Sequence, residues 1–129
     1  MSVNYSVRQV GEVTVLDLSG RINRSEAPTF SPGSTLVLHE VVRHFVHKGS
    51  KKILLNLRHV DYIDSSGLGE LVSSMTTVQN QGGHLRVCNA LQSVDDLIRM
   101  THLDSVLYVD QEEATALQAF SARANTSAA

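Results

Sequence analysis

The sequence has little of several features that mark common classes of protein. It contains one cysteine, Cys88, in 129 residues, so no internal disulfide can form and a reducing, cytoplasmic location is expected. Its apolar runs reach only about five residues, whereas a helix that crosses a membrane needs roughly 20. Residues 1–5 lack the basic and apolar segments of a signal peptide. These absences argue against a secreted or membrane protein.

Charge of either sign is scarce as well. The 11 Lys and Arg residues nearly balance the 13 Asp and Glu residues, for a formal net charge of -2, and no basic stripe predicts nucleic-acid binding. With 42% hydrophobic and 19% charged residues, the composition is that of a globular protein. We expect a single domain over residues 1–120 and a flexible tail over 121–129, where Ala, Ser, Thr and Asn show no periodicity.

Apolar periodicity predicts the element order ββαβαβαβα. A tight turn at Gly11-Glu12 joins the first two strands into a hairpin, and the run ILLNL at 53–57 is apolar on both faces, as in a central strand covered by helices. This order predicts an α/β fold with a mixed, mostly parallel sheet, an antiparallel hairpin at its edge and about four helices. The predicted strands cover 5–10, 13–19, 52–57, 84–88 and 106–109, and the predicted helices cover 35–48, the stretch from the serine pair to about 80, 94–100 and 112–120.

The junction after the third predicted strand, DYIDSSGLGEL, carries most of the functional signal. Asp64, Ser65 and Ser66 are each suited to cap the following helix, because their side-chain oxygens accept hydrogen bonds from free amides of the first turn. Gly67 and Gly69 keep that turn bare, so a large partner could approach the backbone and a serine hydroxyl. We interpret the junction as a place where a serine hydroxyl is accessible to a large partner.

A loop follows the second predicted strand. Residues 24–34 hold both prolines of the sequence together with Ser, Thr and Gly, which is typical of an exposed loop. Because the carboxyl ends of parallel strands lie at one edge of a sheet, we place this loop and the serine junction at the same end of the molecule. The loop is either a ridge beside the serines or a tolerated insertion.

Catalytic interpretations of the junction are weak. A hydrolase nucleophile elbow needs a glycine two residues before the serine, and none stands there. His84 and His102 are possible bases, but nothing around them ties them to a serine. The run GLG at 67–69 opens like a dinucleotide fingerprint, yet Val72 occupies the third glycine position.

Metal and redox interpretations are weak too. His44 and His47 lie one helical turn apart, but no Cys or carboxylate is placed to complete a ligand set. Asp61 and Asp64 could form an acid/base pair, although a turn and a helix cap explain them more simply. Cys88, at the end of a predicted strand, fits a small core residue better than a reactive thiol. We predict no metal and no cofactor.

A hydroxyl at a helix N-terminus can also accept a phosphoryl group. Phosphorylation would add about -1.5 to -2 charges at neutral pH. The helix dipole and free amides favour an anion at that place, whereas a partner docked over the junction would meet a dianion beside Asp64. This difference suits a switch that controls binding without unfolding the domain. On physical grounds alone, the serines are equally well explained as helix caps.

Residues 60–69, VDYIDSSGLG, strongly resemble the signature of the STAS domain of bacterial anti-sigma factor antagonists. The likeness extends across nearly the whole chain. LSGRI at 18–22 resembles the family's exit from its second strand, NQGGHL at 80–85 its turn from helix to strand, and MTHL at 100–103 its motif after the third helix.

The resemblance implies a partner switch rather than an enzyme. The unphosphorylated form would bind an anti-sigma factor, often a serine kinase with a histidine-kinase-like ATP-binding fold, and so release a sigma factor. The kinase would phosphorylate Ser66, with Ser65 as the second candidate, and a metal-dependent PP2C-type phosphatase would reverse the reaction. The partner-binding residues that follow by position are Asn23, Asp64, Ser65, Ser66, Gly67, Leu68 and Gly69.

Two features depart from the family's pattern. Many members carry an aspartate just after the second strand, where this chain has Asn23, and the loop with Pro28 and Pro32 is unlike the family's shorter versions. Either departure could alter the choice of partner or mark a member that no longer answers to a kinase. The alternatives are a STAS scaffold or transport-accessory protein that binds constitutively through the same face, and a small enzyme with a histidine near Ser66.

Overall fold

The structure, a computed structural model, describes residues 4–22 and 38–127, and a single five-stranded sheet runs through them in the order β1-β2-β3-β4-β5. The predicted α/β class, the mostly parallel sheet, the N-terminal hairpin and the order ββαβαβαβα are confirmed. The strands are β1 (Asn4–Val10), β2 (Val13–Ile22), β3 (Lys52–Ile63), β4 (His84–Cys88) and β5 (Tyr108–Asp110). The helices are α1 (Leu38–His47), α2 (Ser65–Asn80), α3 (Gln92–Met100) and α4 (Glu113–Ser127).

A two-residue turn forms the hairpin at the start of the sheet. Gly11 has a φ of +59°, which glycine adopts without steric cost, and Val10 pairs with Val13 across the turn. The remaining strand pairs are parallel. Because β2 and β3 are parallel, Ile22 lies beside Ile63, so β2 ends next to the start of α2. The predicted loop, residues 24–34, lies outside the described residues.

β3 lies between two apolar cores. On one face, Ile53 and Leu55 belong to the larger core, to which α1, α2 and α3 contribute. On the other face, Leu54 packs with α4 residues in a smaller core. The strand is therefore buried on both faces, which explains the nearly continuous apolar run that predicted its central place.

Cys88 belongs to the smaller core and has no exposed surface. Burial raises the pKa of its thiol to about 12, so the thiol stays protonated at neutral pH and is a poor nucleophile. The residue packs as a small apolar side chain, as its position in the sequence predicted.

β3 is longer than its apolar pattern predicted. It continues to Ile63 instead of ending near Leu57. Its register against β2 shifts twice, between residues 56 and 59 and again between residues 60 and 62. Such irregularities interrupt the alternation of faces and leave Arg58 and His59 both exposed, so a period of two does not reveal the extension.

The C-terminal elements also differ from the pattern. α4 runs to Ser127, although a helix end near Phe120 was predicted, because the residues beyond 120 carry no apolar stripe that would signal a helix. β5 begins at Tyr108, two residues later than predicted, since a 3-10 turn at Leu103–Ser105 precedes it.

The division into one domain and a flexible tail stays a prediction. Within 4–22 and 38–127, no helix is both long and apolar enough to cross a membrane.

Candidate functional site

Asp64 is the residue that caps α2. Its backbone is extended, with φ -112° and ψ -175°, and its Oδ1 accepts a hydrogen bond of 2.8 Å from the Gly67 amide. The Leu68 amide donates to the Asp64 carbonyl over 2.9 Å, which closes the first turn. Of the three cap candidates in the sequence, the two serines are therefore the first residues of the helix itself.

The Ser66 hydroxyl donates to the same carboxylate oxygen of Asp64 over 2.7 Å. This hydrogen bond is the main reason that the pKa of Asp64 lies below its usual range, and backbone amides, including that of Gly67, add to the effect against the opposing desolvation. The carboxylate is therefore ionised at neutral pH, where the N-terminal end of the helix dipole favours it. The arrangement fixes the Ser66 hydroxyl beside a permanent negative charge.

The predicted partner-binding residues differ in how far they reach the surface. Ser65 and Gly69 are exposed, and Asp64 and Ser66 are partly buried. A Cβ added at Gly69 would meet nothing within 4 Å, so the backbone is bare on the side of the first turn where Gly69 lies. Leu68 packs in the larger core with 4% of its surface exposed. Gly67 is also buried.

Of the other candidate residues, Asn23 lies outside the described residues and His84 lies far from this turn. His84 pairs with Lys52, the first residue of β3, whereas Ser66 lies just beyond the last residue of that strand. At the rise of about 3.3 Å per residue in a strand, the two ends of β3 are roughly 35 Å apart. His84 is therefore not a base for this serine. In 4–22 and 38–127, no group of three or more His, Cys, Asp or Glu side chains is placed to hold a metal ion.

Comparison with known proteins decides the family. The model of the STAS domain matches residues 4–116 of this chain. The chain belongs to the STAS family. The anti-sigma-B factor antagonist of Bacillus subtilis is 26% identical over 118 residues, which cover 92% of this chain and 100% of that protein.

Solved structures with the same fold include two that bear on this STAS domain. An anti-sigma factor antagonist from Mycobacterium paratuberculosis superposes with a TM-score of 0.74 at 23% identity, over 92% of this chain and 93% of that one. The Bacillus cell fate determinant SpoIIAA, solved in its phosphorylated form, gives a TM-score of 0.61 at 16% identity, over 90% of this chain and 99% of that one. At these identities the likeness shows the fold alone.

One polar contact next to the site was missed by sequence reasoning. Glu70 lies one helical turn after Ser66 in this STAS domain and is only 3% exposed. Its Oε1 accepts from the backbone amide of His39 over 3.2 Å and lies 2.8 Å from the Nδ1 atom of the same residue. The sequence offered one signal for this contact, a glutamate within a helix that carries an apolar stripe. Because Glu is rarely buried without a partner, a buried glutamate there would have indicated a partner on another element. The pair ties the first turn of α1 to α2.

Replacing Asp64 with alanine is expected to lower the free energy of unfolding of the STAS domain by about 1 kcal/mol, the usual cost of losing a helix cap. The pKa of Asp64 is lowered in the fold, so its contribution is present above the unfolded pKa of about 3.9 and is lost as the pH falls through the folded value. Urea titrations at neutral and acidic pH measure both effects. Asp64→Ser, which keeps a cap oxygen, is the control, and an equal loss in both variants would contradict the cap.

Proposed function

We propose that this STAS domain is an anti-sigma factor antagonist, and that phosphorylation of Ser66 controls its binding. The proposal depends above all on one observation, the Ser66 hydroxyl held by Asp64 at the N-terminus of α2. Relatives named as anti-sigma factor antagonists, such as the Bacillus subtilis protein that aligns over 92% of this chain, support the general role. The protein then acts in the cytoplasm by binding, without catalysis and without a cofactor of its own.

Phosphorylation changes the charge at the junction without removing what holds the helix. The γ-phosphoryl group of ATP moves to Ser66 Oγ, the bond to ADP breaks, and the hydroxyl proton leaves. The hydrogen bond from Ser66 to Asp64 is then lost, and a group of about -1.5 to -2 charges stands beside the carboxylate. The amide of Gly67 still caps through Asp64, and the helix dipole offsets part of the repulsion. The phosphorylated Bacillus protein with the same fold supports this tolerance.

The lowered pKa of Asp64 supports a proton acceptor that belongs to the partner. A carboxylate whose pKa is depressed is a weak base, so Asp64 orients the hydroxyl but does not readily take its proton. The catalytic base therefore comes from the kinase. We assign that role to an anti-sigma factor with a histidine-kinase-like ATP-binding fold and the reverse reaction to a PP2C-type phosphatase.

The binding surface is the first turn of α2 and its surroundings. A partner that docks against Ser65 and the bare backbone at Gly69 would be pressed close to Ser66. A dianion there would be desolvated by the partner without a matching cation, which is costly. Ser65 is the more exposed hydroxyl and remains the second candidate acceptor, but it lacks the hydrogen bond that orients Ser66. Asn23 is proposed to border the same surface.

The test is to purify the protein from its host and map phosphate on its peptides by mass spectrometry. Wild type, Ser66→Ala, Ser66→Asp and Ser65→Ala are then immobilised and exposed to host lysate. The captured protein is identified, expressed and titrated against each variant by calorimetry. We expect an anti-sigma factor with an ATP-binding domain, phosphate on Ser66, and binding to Ser66→Asp at least about 100-fold weaker than to wild type, or about 2.7 kcal/mol.

Ser65→Ala is the matched control, expected to bind and to be phosphorylated like wild type. An absence of phosphate after incubation with the captured kinase and ATP, together with equal binding of Ser66→Asp, would instead establish a constitutive STAS scaffold or transport-accessory protein. Circular dichroism of each variant separates lost binding from lost fold.

A further inference from the structure

The outer edge of β1 is a long, regular strand edge. β1 is the first strand of the sheet and pairs only with β2 among the described residues. Natural proteins protect such edges with lysine, proline, bulges or very short strands, because free amides and carbonyls invite a further strand. β1 spans seven residues in unbroken register and contains neither lysine nor proline.

The hairpin determines which backbone groups point outward. A two-residue turn is closed by a hydrogen-bonded pair, here Val10 and Val13. Hydrogen-bonded and non-hydrogen-bonded pairs alternate along an antiparallel ladder. Tyr5, Val7 and Gln9 are therefore in non-hydrogen-bonded pairs with β2, and their amides and carbonyls face away from the sheet.

One face of this edge presents exposed apolar side chains, and on the other face the single charged side chain is paired with carboxylates of the same chain. Tyr5 and Val7 are 40% and 43% exposed, and the Tyr5 ring contacts Phe45 of α1 edge-on, with centroids 6.3 Å apart. On the opposite face, Arg8 is the only charged residue of β1. Its guanidinium donates to Asp17 over 2.6 Å and to Glu113 over 2.6 Å, so its charge is matched inside the chain.

We propose that β1 pairs with β1 of a second copy of this chain, in antiparallel register about Val7, to form a two-fold dimer with a continuous sheet. In this register Val7 faces its counterpart, Tyr5 faces Gln9, and Ser6 faces Arg8, so no like charges stand directly opposite each other. The register turns the outward amides of one copy toward the outward carbonyls of the other.

The other edge of the sheet is a poorer partner for β1. β5 spans only three residues, its Asp110 is bound by Arg86 over 2.8 Å, and the Arg86 guanidinium covers the Tyr108 ring. A β1-to-β5 contact would also be head-to-tail and would not close after two copies. Self-pairing of β1 closes with one interface.

The dimer leaves the proposed switch surface open. β2 separates β1 from β3 in the sheet, and Ser66 follows the carboxyl end of β3 rather than a lateral edge. The test of the dimer is therefore independent of whether Ser66 is phosphorylated.

The test is sedimentation velocity over a concentration series, with Val7→Pro and Val7→Thr. Proline at an outward-facing amide is tolerated in an edge strand, so Val7→Pro keeps the hairpin but blocks the new ladder, whereas Val7→Thr keeps the amide and a β-branched side chain. We expect wild type and Val7→Thr to shift from the mass of one chain toward that of two, and Val7→Pro to associate at least about tenfold more weakly. A wild type that stays monomeric at every concentration overturns the proposal.

A cysteine variant provides a second test, which does not depend on whether Val7→Pro folds. Because Cys88 is fully buried, Val7→Cys adds the one accessible thiol of the described residues, and mild oxidation should cross-link it to a second copy. Gln79→Cys, on the exposed side of α2, is the control and should cross-link at least about tenfold more slowly than the Val7 variant. Equal rates for the two variants also overturn the proposal.

Discussion

Glu70→Ala is expected to lower the free energy of unfolding of this STAS domain by about 3 kcal/mol, the usual cost of removing one partner of a buried polar pair. The carboxylate is 3% exposed; it accepts a hydrogen bond from the His39 backbone amide and lies 2.8 Å from the ring Nδ1 atom of the same residue. Removing the carboxylate takes this partner from both groups and opens a cavity. The value lies at the low end for a buried pair because His39 keeps 24% of its side chain exposed.

Glu70→Gln is the matched control for this prediction. The amide oxygen of glutamine can still accept a hydrogen bond from the His39 backbone amide, so a smaller loss of about 1 kcal/mol is expected. Urea midpoints of both variants, of His39→Ala and of the double variant form a cycle. A strong interaction between the two residues makes the double variant less destabilised than the sum of the single ones. Additive losses would show that the two side chains act independently.

The same variant locates the effect within the fold. Glu70 binds the first turn of α1, while the cap of α2 depends on Asp64. Hydrogen exchange of Glu70→Ala is therefore expected to show faster opening of α1 with little change at Gly67. Faster exchange throughout α2 instead would mean that Glu70 supports the helix that carries Ser66.

Local sequence signals were sufficient for the order of elements and for the place where α2 begins. The hairpin follows from a two-residue turn with a glycine, and the central position of β3 follows from a strand that is apolar on both faces. Both signals act within a few residues, so one sequence reveals them. The N-terminus of α2 was located by the same logic, because an acidic residue and two hydroxyls between a strand and an apolar stripe indicate a helix N-terminus.

Contacts between distant residues could not be predicted. The choice of Asp64 as the cap depends on where β3 ends, and that end depends on a register with β2 that shifts twice. His39 and Glu70 are 31 residues apart in the sequence, and only the packing of α1 on α2 brings them together. Similarly, Arg8 meets Glu113 across 105 positions. Neither periodicity nor capping rules carry information about such pairs.

Gly83→Ala is expected to destabilise the fold by about 2 to 3 kcal/mol through overpacking. A Cβ at this residue would overlap the Lys51 carbonyl oxygen and lie 2.9 Å from Cγ1 of Val78. The backbone has little room to yield, because the Gly83 amide donates to the Val78 carbonyl over 2.9 Å and the His84 amide donates to the same Lys51 oxygen over 2.7 Å. The methyl group would therefore push β4 away from the start of β3.

Gly69→Ala separates this steric effect from the general effect of replacing glycine. At Gly69, inside α2, an added Cβ meets nothing within 4 Å, so alanine is expected to raise stability by up to about 1 kcal/mol through its higher helix propensity. Urea denaturation of both variants gives the comparison, and the two variants, which carry the same chemical change, are expected to differ in stability by about 2 to 4 kcal/mol. If Gly83→Ala unfolds at the wild-type urea midpoint, the backbones that precede β3 and β4 are packed less tightly than their hydrogen bonds imply. The close approach at residue 83 then does not restrict which residue can occupy this position.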